Sequence, residues 1–519
     1  MKLMWRGHSC LPRPGSSGRS LGAVKSDAGV APALRSKRKV FGAASAPLLL
    51  ALFCAGCLKV PPYQRPTAVA PPSFKEAPPA GWKESQPSDG ALRGNWWEIF
   101  GDPALNALEE QVSISNQNVL QAEAQYREAR AAVRVARSAL YPLVTGSPSV
   151  TGSQGSSRLS TRAGPSTPQG IYDLPFSASY TFDVWGSIHR TVAASATTAQ
   201  AGAAALANAR LLYQSELAQD YFQLHGLDAD RVLLQETVKS YQEYLTLTRN
   251  RFVGGVASDS DVAQAETQLY TTQAQLTDIE TQRQQLEHAI AVLTGKPPAS
   301  LELPLAAVAA TPPEIPTGLP SALLERRPDI AEAERQAAAA NEQIGVAKAA
   351  FFPTLTMTAS AGLQSSSFLN WITWPSHFWT LGPQLAQILF DAGKRTAQVD
   401  QAQAAYDAMA AAYRQTVLTA LQQVEDNLVA LRVLEHEAAD LQQAVKSAER
   451  SVTVSTAQYK AGTASYLQVI TVQTIALADE RSALDLKTRR MVASVMLIEA
   501  LGGGWDSSKL PTVQDVAQR

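Results

Sequence analysis

Two stretches of the chain alternate apolar side chains with small or polar ones at every second position. The apolar members are Leu174, Phe176, Ala178, Tyr180 and Phe182 in the first stretch, and Leu355, Met357, Ala359, Ala361 and Leu363 in the second. A period of two predicts β-strands with one apolar face, and about ten residues suit a strand tilted across a membrane. We predict strands over 172–183 and 353–363, with weaker partner strands over 141–151 and 379–390. On the pattern alone, a half-buried sheet in a soluble domain is the alternative.

Two much longer stretches are typical of helices. Residues 188–252 and 393–460 contain no proline and are rich in alanine, leucine and glutamine, so each predicts a helix of roughly 100 Å. Helices of that length need lateral partners along their whole extent. Heptad repeats over 258–295 and 465–502 predict helices that supply these partners as coiled coils. Arg283 interrupts the first apolar seam, and we expect its stem to lie along the seam while its head reaches water.

The same landmarks occur twice in one order, which indicates an internal duplication. The segment Phe182–Gly186 returns as Phe390–Gly393, and the glycine-containing segment Arg251–Ser258 returns as Gln458–Ser465, at offsets between 207 and 211 residues. We predict a first repeat over 93–300, a proline-rich linker over 301–320, a second repeat over 321–505 and a tail over 506–519.

These elements predict an α+β membrane protein in which each chain contributes four strands. Four strands cannot close a barrel, and lipid cannot satisfy the hydrogen bonds of an open sheet edge. Two chains would give eight strands, a barrel whose interior is filled by side chains, whereas three would give twelve strands and room for a lumen. A pore therefore favours a trimer.

The amino terminus is typical of a bacterial export signal. Basic residues at 35–39 precede an apolar stretch over 40–53, and Cys54-Ala55-Gly56-Cys57 follows. We predict a signal peptide over 1–56, and the first 34 residues are also consistent with a start site placed too far upstream. Gly56-Cys57 resembles the end of a lipobox, which implies lipidation at Cys57 and a proline-rich tether over 57–92. An ordinary cleaved signal with an incidental cysteine is the alternative.

Composition narrows the possible chemistry. The net charge of the 519 residues is −1, and it becomes −9 once residues 1–56, with nine basic and one acidic residue, are removed, so no nucleic-acid surface is indicated. The three cysteines all lie within the first 57 residues, which argues against a disulfide scaffold or a cysteine-ligated metal. The sequence has no recognisable catalytic, phosphate-binding or metal-spaced motif. We expect no enzyme activity, no cofactor and no metal site.

One long motif carries a family resemblance. The run from Leu319 through Arg326-Arg327-Pro328-Asp329 to Pro353 closely resembles the signature of TolC-like outer-membrane factors, in particular the NodT-type lipoproteins of resistance-nodulation-division efflux systems. Trp96-Trp97 and Leu501-Gly502-Gly503-Gly504-Trp505 fit the same family. The motif itself is typical of a helix start, with Pro328 in the first helical position and Asp329 in the first turn.

The resemblance implies an assembly and a location. It implies a homotrimer with a twelve-stranded transmembrane β-barrel in the outer membrane, continuous with a coiled-coil α-helical barrel in the periplasm. A periplasmic adaptor and an inner-membrane pump of the resistance-nodulation-division type are the implied partners, and small molecules such as drugs and toxic compounds pass through passively. A type I secretion channel is a close alternative. A non-conducting trimeric coiled-coil lipoprotein scaffold is an alternative of another class.

The resemblance also implies where the functional residues lie. It places adaptor docking at the two helix turns, with the candidate residues Gly254, Gly255, Ser258, Gly462 and Ser465. It places the periplasmic aperture just after the second turn, where Leu467 matches an apolar ring and Thr471 stands where related pumps often have aspartate. Asp259 and Asp261 are further candidates for an acidic ring. Ser258 and Asp261 are also spaced as a helix capping box, which is the structural alternative.

Overall fold

The computed structural model describes residues 63–68, 70–76, 94–156, 168–306, 312–315 and 320–517. The predicted signal segment and Cys57 lie outside the described residues, as do parts of the predicted tether and linker. The described chain is mostly helical and carries one antiparallel sheet. None of its described helices combines the length and the apolar character needed to cross a membrane.

The two repeats run through the same succession of elements. The first contains α1 (Pro103–Ser115), α2 (Gln117–Ser138), β1 (Leu143–Gly146), β2 (Ser149–Ser153), β3 (Gln169–Phe182), α3 (Ser187–Val253) and α4 (Asp259–Leu293). The second contains α5 (Leu323–Arg326), α6 (Pro328–Ala349), β4 (Thr354–Ser365), β5 (His377–Ala386), α7 (Lys394–Lys460) and α8 (Tyr466–Ala500), and α9 (Val513–Ala517) follows.

Corresponding helices of the two repeats have equal lengths. The long helices α3 and α7 each have 67 residues, about 100 Å of helix. Their partners α4 and α8 each have 35 residues, and α2 and α6 each have 22. Both long helices also begin after a glycine in the left-handed region, Gly186 and Gly393. The duplication seen in the sequence thus extends to helix length.

The two repeats share one sheet, in which β3 of the first repeat pairs with β4 of the second. Its strand order is β1-β3-β4-β5, and β2 pairs with the same strand, β3, as β1 does. All pairs are antiparallel. The chain therefore supplies four strand positions, and among the described strands β1 and β2 form one outer edge while β5 forms the other.

Two strands differ most from the prediction, while β3 begins three residues earlier than predicted, at Gln169. The single strand expected over 141–151 is divided into β1 and β2, because Pro148 lies between them and has no backbone N–H for the ladder. The strand expected over 379–390 begins earlier, at His377, and ends at Ala386. The paired strand β4 begins at Thr354, opposite Ala386, so residues after 386 have no partner in β4.

The register aligns apolar residues with apolar residues across three strands. The apolar rows are Phe182–Leu355–Leu385, Tyr180–Met357–Pro383, Ala178–Ala359–Leu381 and Phe176–Ala361–Trp379. The other face carries rows such as Ser177–Ser360–Thr380. No residue of the five described strands is buried. Within the described chain no second layer covers either face, unlike a half-buried sheet of a soluble domain.

The helices pack side by side around the long helix α3. It contacts its coiled-coil partner α4 and also α2, α6 and α8, while α7 packs along α8 and α6. The largest apolar cluster joins Trp96, Trp97 and Phe100 to Leu105 of α1 and Phe222 of α3. This core lies on the helical part of the chain, so the sheet projects from it without a core of its own.

The expectation for Arg283 is wrong. Its head does not reach water, since the residue is only 5% exposed. Its guanidinium donates to Asp228 at 2.7 Å, to Glu287 at 2.8 Å and to the carbonyl oxygen of Leu303 at 2.8 Å. Arg283 interrupts the apolar seam because it belongs to a buried ion cluster that holds the start of the inter-repeat linker.

Candidate functional site

The candidate site comprises the two helix turns and the start of α8. Each turn carries a glycine in the left-handed region, Gly255 at φ 73° and Gly462 at φ 77°. The backbone N–H of Val256 donates to the carbonyl oxygen of Arg251 at 2.9 Å, and that of Thr463 donates to the carbonyl oxygen of Gln458 at 2.9 Å. The two helices therefore end in the same hydrogen-bonded turn, for which glycine is the favoured residue.

Gly254 differs from these two glycines. It follows the last residue of α3 with a φ of −76°, a value that any residue adopts. A side chain added there would approach the carbonyl oxygen of Asn250 at 3.4 Å. The turn geometry therefore requires glycine at position 255 and not at position 254.

Each turn then starts the next helix with a serine cap. The Ser258 hydroxyl accepts a hydrogen bond from the Asp261 N–H at 3.2 Å, and the Asp261 carboxylate accepts one from the Ser258 N–H at 2.9 Å. This is the reciprocal capping box that the spacing predicted. Ser465 accepts a single bond from the Gln468 N–H at 3.4 Å. Asp261 therefore has a structural role, while Asp259 is exposed in the same first turn.

A side chain at the end of α3 contacts the end of α7 and so connects the two helix turns. The Arg251 guanidinium lies over the Tyr459 ring, 4.6 Å from its centroid, and donates to the Tyr459 carbonyl oxygen at 3.1 Å. The buried Tyr459 ring packs against Tyr466, with 5.4 Å between ring centroids. Burial, together with the neighbouring Tyr459, raises the pKa of Tyr466, so this phenol stays neutral at ordinary pH. Sequence analysis missed this contact because the two residues lie 208 positions apart and no local pattern relates them.

The residues predicted for the aperture lie near the starts of two helices, and Asp261 alone among them is half-buried. Leu467 is 58% exposed in the first turn of α8. Thr471 follows one turn later, also exposed, and its hydroxyl donates to the Leu467 carbonyl oxygen at 2.8 Å. Residues four apart share one helix face. One exposed face of α8 therefore presents an apolar side chain beside an uncharged hydroxyl.

The long sequence motif packs against the end of α8. α6 begins at Pro328, as its residue pattern predicted, with Arg327 as the preceding cap residue. The buried Arg327 guanidinium donates to Asp329 at 2.7 Å and to the Ala500 carbonyl oxygen at 3.0 Å. Gly502, at φ 94°, packs against the backbone of the same motif, where a side chain would collide. The motif thus ties the start of the second repeat to the end of α8.

Known proteins resemble the chain over most of its length. The probable efflux pump outer membrane protein TtgC of Pseudomonas putida is 30% identical over 461 residues, which cover 88% of this chain and 94% of TtgC. The pyoverdine export outer membrane protein OpmQ of Pseudomonas aeruginosa is 31% identical over 451 residues, which cover 83% and 92%. The solved structure of the outer-membrane channel OprN matches with a TM-score of 0.79 at 27% identity and covers 86% of this chain and 99% of OprN.

Fold and sequence together define an outer-membrane channel protein. The family model described as outer membrane efflux protein matches residues 108–296 and 319–503, once in each repeat. The chain belongs to this family, which confirms the family prediction. Its function is that of an outer-membrane component of an efflux system.

Proposed function

We propose that three copies of this chain form the outer-membrane exit duct of a tripartite efflux pump. The observation that carries the proposal is the sheet, whose aligned apolar rows lie between two outer edges formed by β1 and β2 on one side and β5 on the other. An apolar band of antiparallel strands suits lipid only when both edges are paired. Pairing β5 with β1 and β2 of the next copy satisfies both edges.

Copy number follows from the width of the resulting barrel. Eight strands enclose a space that side chains fill, whereas twelve strands leave a lumen. With four strand positions in each chain, a conducting barrel therefore needs three chains. The long helices continue below the sheet for about 100 Å, and three pairs of repeats would form a helical tube across the periplasm.

The two helix turns would meet the periplasmic adaptor. Gly254, Gly255, Ser258, Gly462 and Ser465 lie at the ends of these turns, where an adaptor has access. An inner-membrane pump of the resistance-nodulation-division type would deliver drugs or other toxic small molecules, and passage through the duct would be passive. Lipid attached at Cys57 would anchor the chain to the outer membrane.

The aperture would lie at the start of α8. Three copies of Leu467 would form an apolar ring, and three copies of Thr471 would form a hydroxyl ring one helical turn away. Three hydroxyls repel one another far less than three carboxylates, so this ring alone favours cations weakly. Asp259 and Asp261 would supply the acidic charge of the aperture.

Two other functions use the same architecture. A type I secretion channel differs in its pump and cargo, and the names of TtgC and OpmQ, both export components, favour small-molecule efflux over it. A non-conducting scaffold would need the coiled coils but not the apolar rows of the sheet.

Planar bilayer recording tests the proposal directly. Purified protein, shown to be folded and trimeric by its mass in detergent, should insert and give stepwise conductance. A folded trimer that gives no conductance would favour the scaffold. A folded protein that is not trimeric would overturn the twelve-stranded barrel.

A further inference from the structure

A cleft of about 320 Å³ with both polar and apolar walls lies within one chain between α3, α7 and α8. Its α7 wall includes Glu449, eleven residues before Lys460 ends that helix, so the cleft lies roughly 16 Å from the turn. It is separate from Leu467 and Thr471, which do not line it. Its volume is at the lower end of the range of about 300–1,000 Å³ that small-molecule sites occupy.

Three carboxylates from three helices line this cleft. They are Glu236 of α3, Glu449 of α7 and Glu480 of α8. Burial raises the pKa of Glu480, and the negative charges of Glu449, Asp479 and Glu236 raise it further. Among the described residues that line the cleft, none is lysine or arginine, so its wall carries negative charge without a balancing cation.

A buried amide beside these carboxylates has an unpaired oxygen. Gln473 lines the same cleft and is only 6% exposed. Its side-chain oxygen Oε1 has no hydrogen-bond partner within the described part of the chain. A buried acceptor left unpaired costs about 1–3 kcal/mol, and a hydrogen bond from water or from a bound donor removes that cost.

The wall is better suited to an organic cation than to a metal ion. No group of three histidine, cysteine or acidic side chains in the described ranges comes close enough to hold a metal. Two aromatic rings complete the wall, Tyr241 and Tyr244. Their hydroxyls are already engaged, with Gln268 at 3.2 Å and Thr456 at 3.0 Å, so their rings are held in place. Carboxylates beside tyrosine rings attract ammonium and guanidinium groups by both charge and cation–π contact.

We propose that this cleft binds an organic cation through an ammonium or guanidinium group, held by Glu236, Glu449 and Glu480 beside Tyr241 and Tyr244. The Gln473 amide oxygen accepts one of the cation's N–H donors. The inference goes beyond the duct function, because the site lies within one chain and requires no conduction. A free amine and a basic side chain of a partner protein have the same chemistry, and the test must separate them.

Isothermal titration calorimetry of the purified protein in detergent tests the site. The probe is agmatine, which carries one ammonium and one guanidinium group. We expect saturable binding that Glu480→Gln and, separately, Glu236→Gln each weaken at least tenfold. Glu128→Gln, which changes an exposed carboxylate on α2, should bind agmatine as the unaltered protein does. Size-exclusion mass and melting temperature establish that each variant is folded.

Two further titrations distinguish a specific cation site from non-specific negative charge, and a free amine from a partner's side chain. Magnesium chloride at the agmatine concentration should not displace the probe. Full displacement would show that the cleft attracts any cation by its negative charge alone. A peptide with one arginine and blocked ends that binds more tightly than agmatine would assign the cation to a partner's side chain. Weaker peptide binding would assign it to a free amine. Equal agmatine affinity in both glutamine variants and the unaltered protein, or no binding at all, would overturn the proposal, whatever the bilayer recordings show.

Discussion

Gly226 of α3 lies directly against the side chain of Thr488 on α8. A Cβ atom added at Gly226 would stand 3.0 Å from Thr488 Cγ2 and 3.2 Å from its Cβ, closer than such atoms normally approach. The absent side chain therefore sets the spacing at which α3 meets α8. This contact joins the two repeats well away from the sheet.

Gly226→Ala is expected to destabilise the protein. Overpacking costs typically 1–3 kcal/mol, which outweighs the roughly 1 kcal/mol that alanine gains over glycine in a helix. We expect a lower melting temperature by circular dichroism in detergent. Gly202→Ala is the matched control on the same helix, because a Cβ there meets nothing nearer than 3.7 Å. It should leave the melting temperature unchanged or raise it, and equal effects at the two sites would contradict the packing argument.

Asp228→Ala should destabilise the protein strongly. It removes the acceptor 2.7 Å from the buried Arg283 guanidinium and leaves that charge with Glu287 alone. Breaking a buried ion pair on one side costs about 3–5 kcal/mol. Chemical denaturation measures the loss of unfolding free energy. Glu280→Ala, at a partly exposed pair with Arg231, should cost less than about 1 kcal/mol. A similar cost for both variants would mean that the buried Arg283–Asp228 pair contributes no more to stability than an exposed pair does.

Glu109→Gln should become more stabilising as pH rises. Glu109 is fully buried, neither carboxyl oxygen has a hydrogen-bond partner in the described chain, and burial raises its pKa well above 4.5. Above pH 4.5 the unfolded chain ionises this group while the folded chain keeps it neutral. Stability therefore falls as pH rises from 4.5 to the folded pKa, by about 1.4 kcal/mol per unit once ionisation of the unfolded state is complete.

Melting temperatures of this variant and the unaltered protein between pH 4 and pH 8 measure the effect. The glutamine side chain does not titrate, so the difference in melting temperature should widen with pH. Glu110→Gln changes the exposed neighbouring carboxylate and should show no such trend. A constant difference for Glu109→Gln would mean that its carboxyl group ionises in the folded state as it does in the unfolded chain.

Thr471→Asp should make the channel more cation-selective. Three carboxylates would replace three hydroxyls at the proposed aperture and attract cations electrostatically. Reversal potentials of single channels in a potassium chloride gradient measure this selectivity. Thr471→Asn, which is uncharged and similar in size to aspartate, is the control and should leave the reversal potential near its original value.

Asp259→Asn and Asp261→Asn complete the aperture test. If these carboxylates supply its charge, each change reduces cation selectivity. An unchanged reversal potential in both would remove them from the aperture. Asp261→Asn also weakens the capping box at Ser258, so its melting temperature is measured alongside.

Ala359→Arg should block insertion into the outer membrane. Ala359 lies in the middle of an apolar row between Ala178 and Leu381. A charge on a lipid-facing strand position costs about 2–4 kcal/mol at the bilayer midplane. Ser360→Arg places the same charge one residue away on the other face, which would line the lumen, and should insert. Membrane fractionation compares the two, and equal insertion would show that the apolar rows do not face lipid.

Periodicity in the sequence predicted the helices and strands. It did not predict contacts between residues that lie far apart in the chain. Alternation located two of the strands, and the other two were predicted as weaker partners. The gap at Pro148 was missed because one proline disturbs a ladder without altering the alternation. Arg283 was visible as a break in its heptad, yet its buried partner Asp228 lies 55 residues away on another helix. The Arg251–Tyr459 contact joins residues that no local pattern relates. At Ser258 and Asp261 the cap was predictable because both partners lie within one turn.

The matched helix lengths restrict how this chain can change during evolution. An insertion of one residue within α3 would rotate everything beyond it by 100° and advance it by 1.5 Å relative to α4, α6 and α8. The 67-residue helices and their 35-residue partners would then lose register along the whole seam. Insertions and deletions should therefore be confined to strand connections, the linker and the termini, and a change of helix length requires coordinated additions of whole heptads in both repeats.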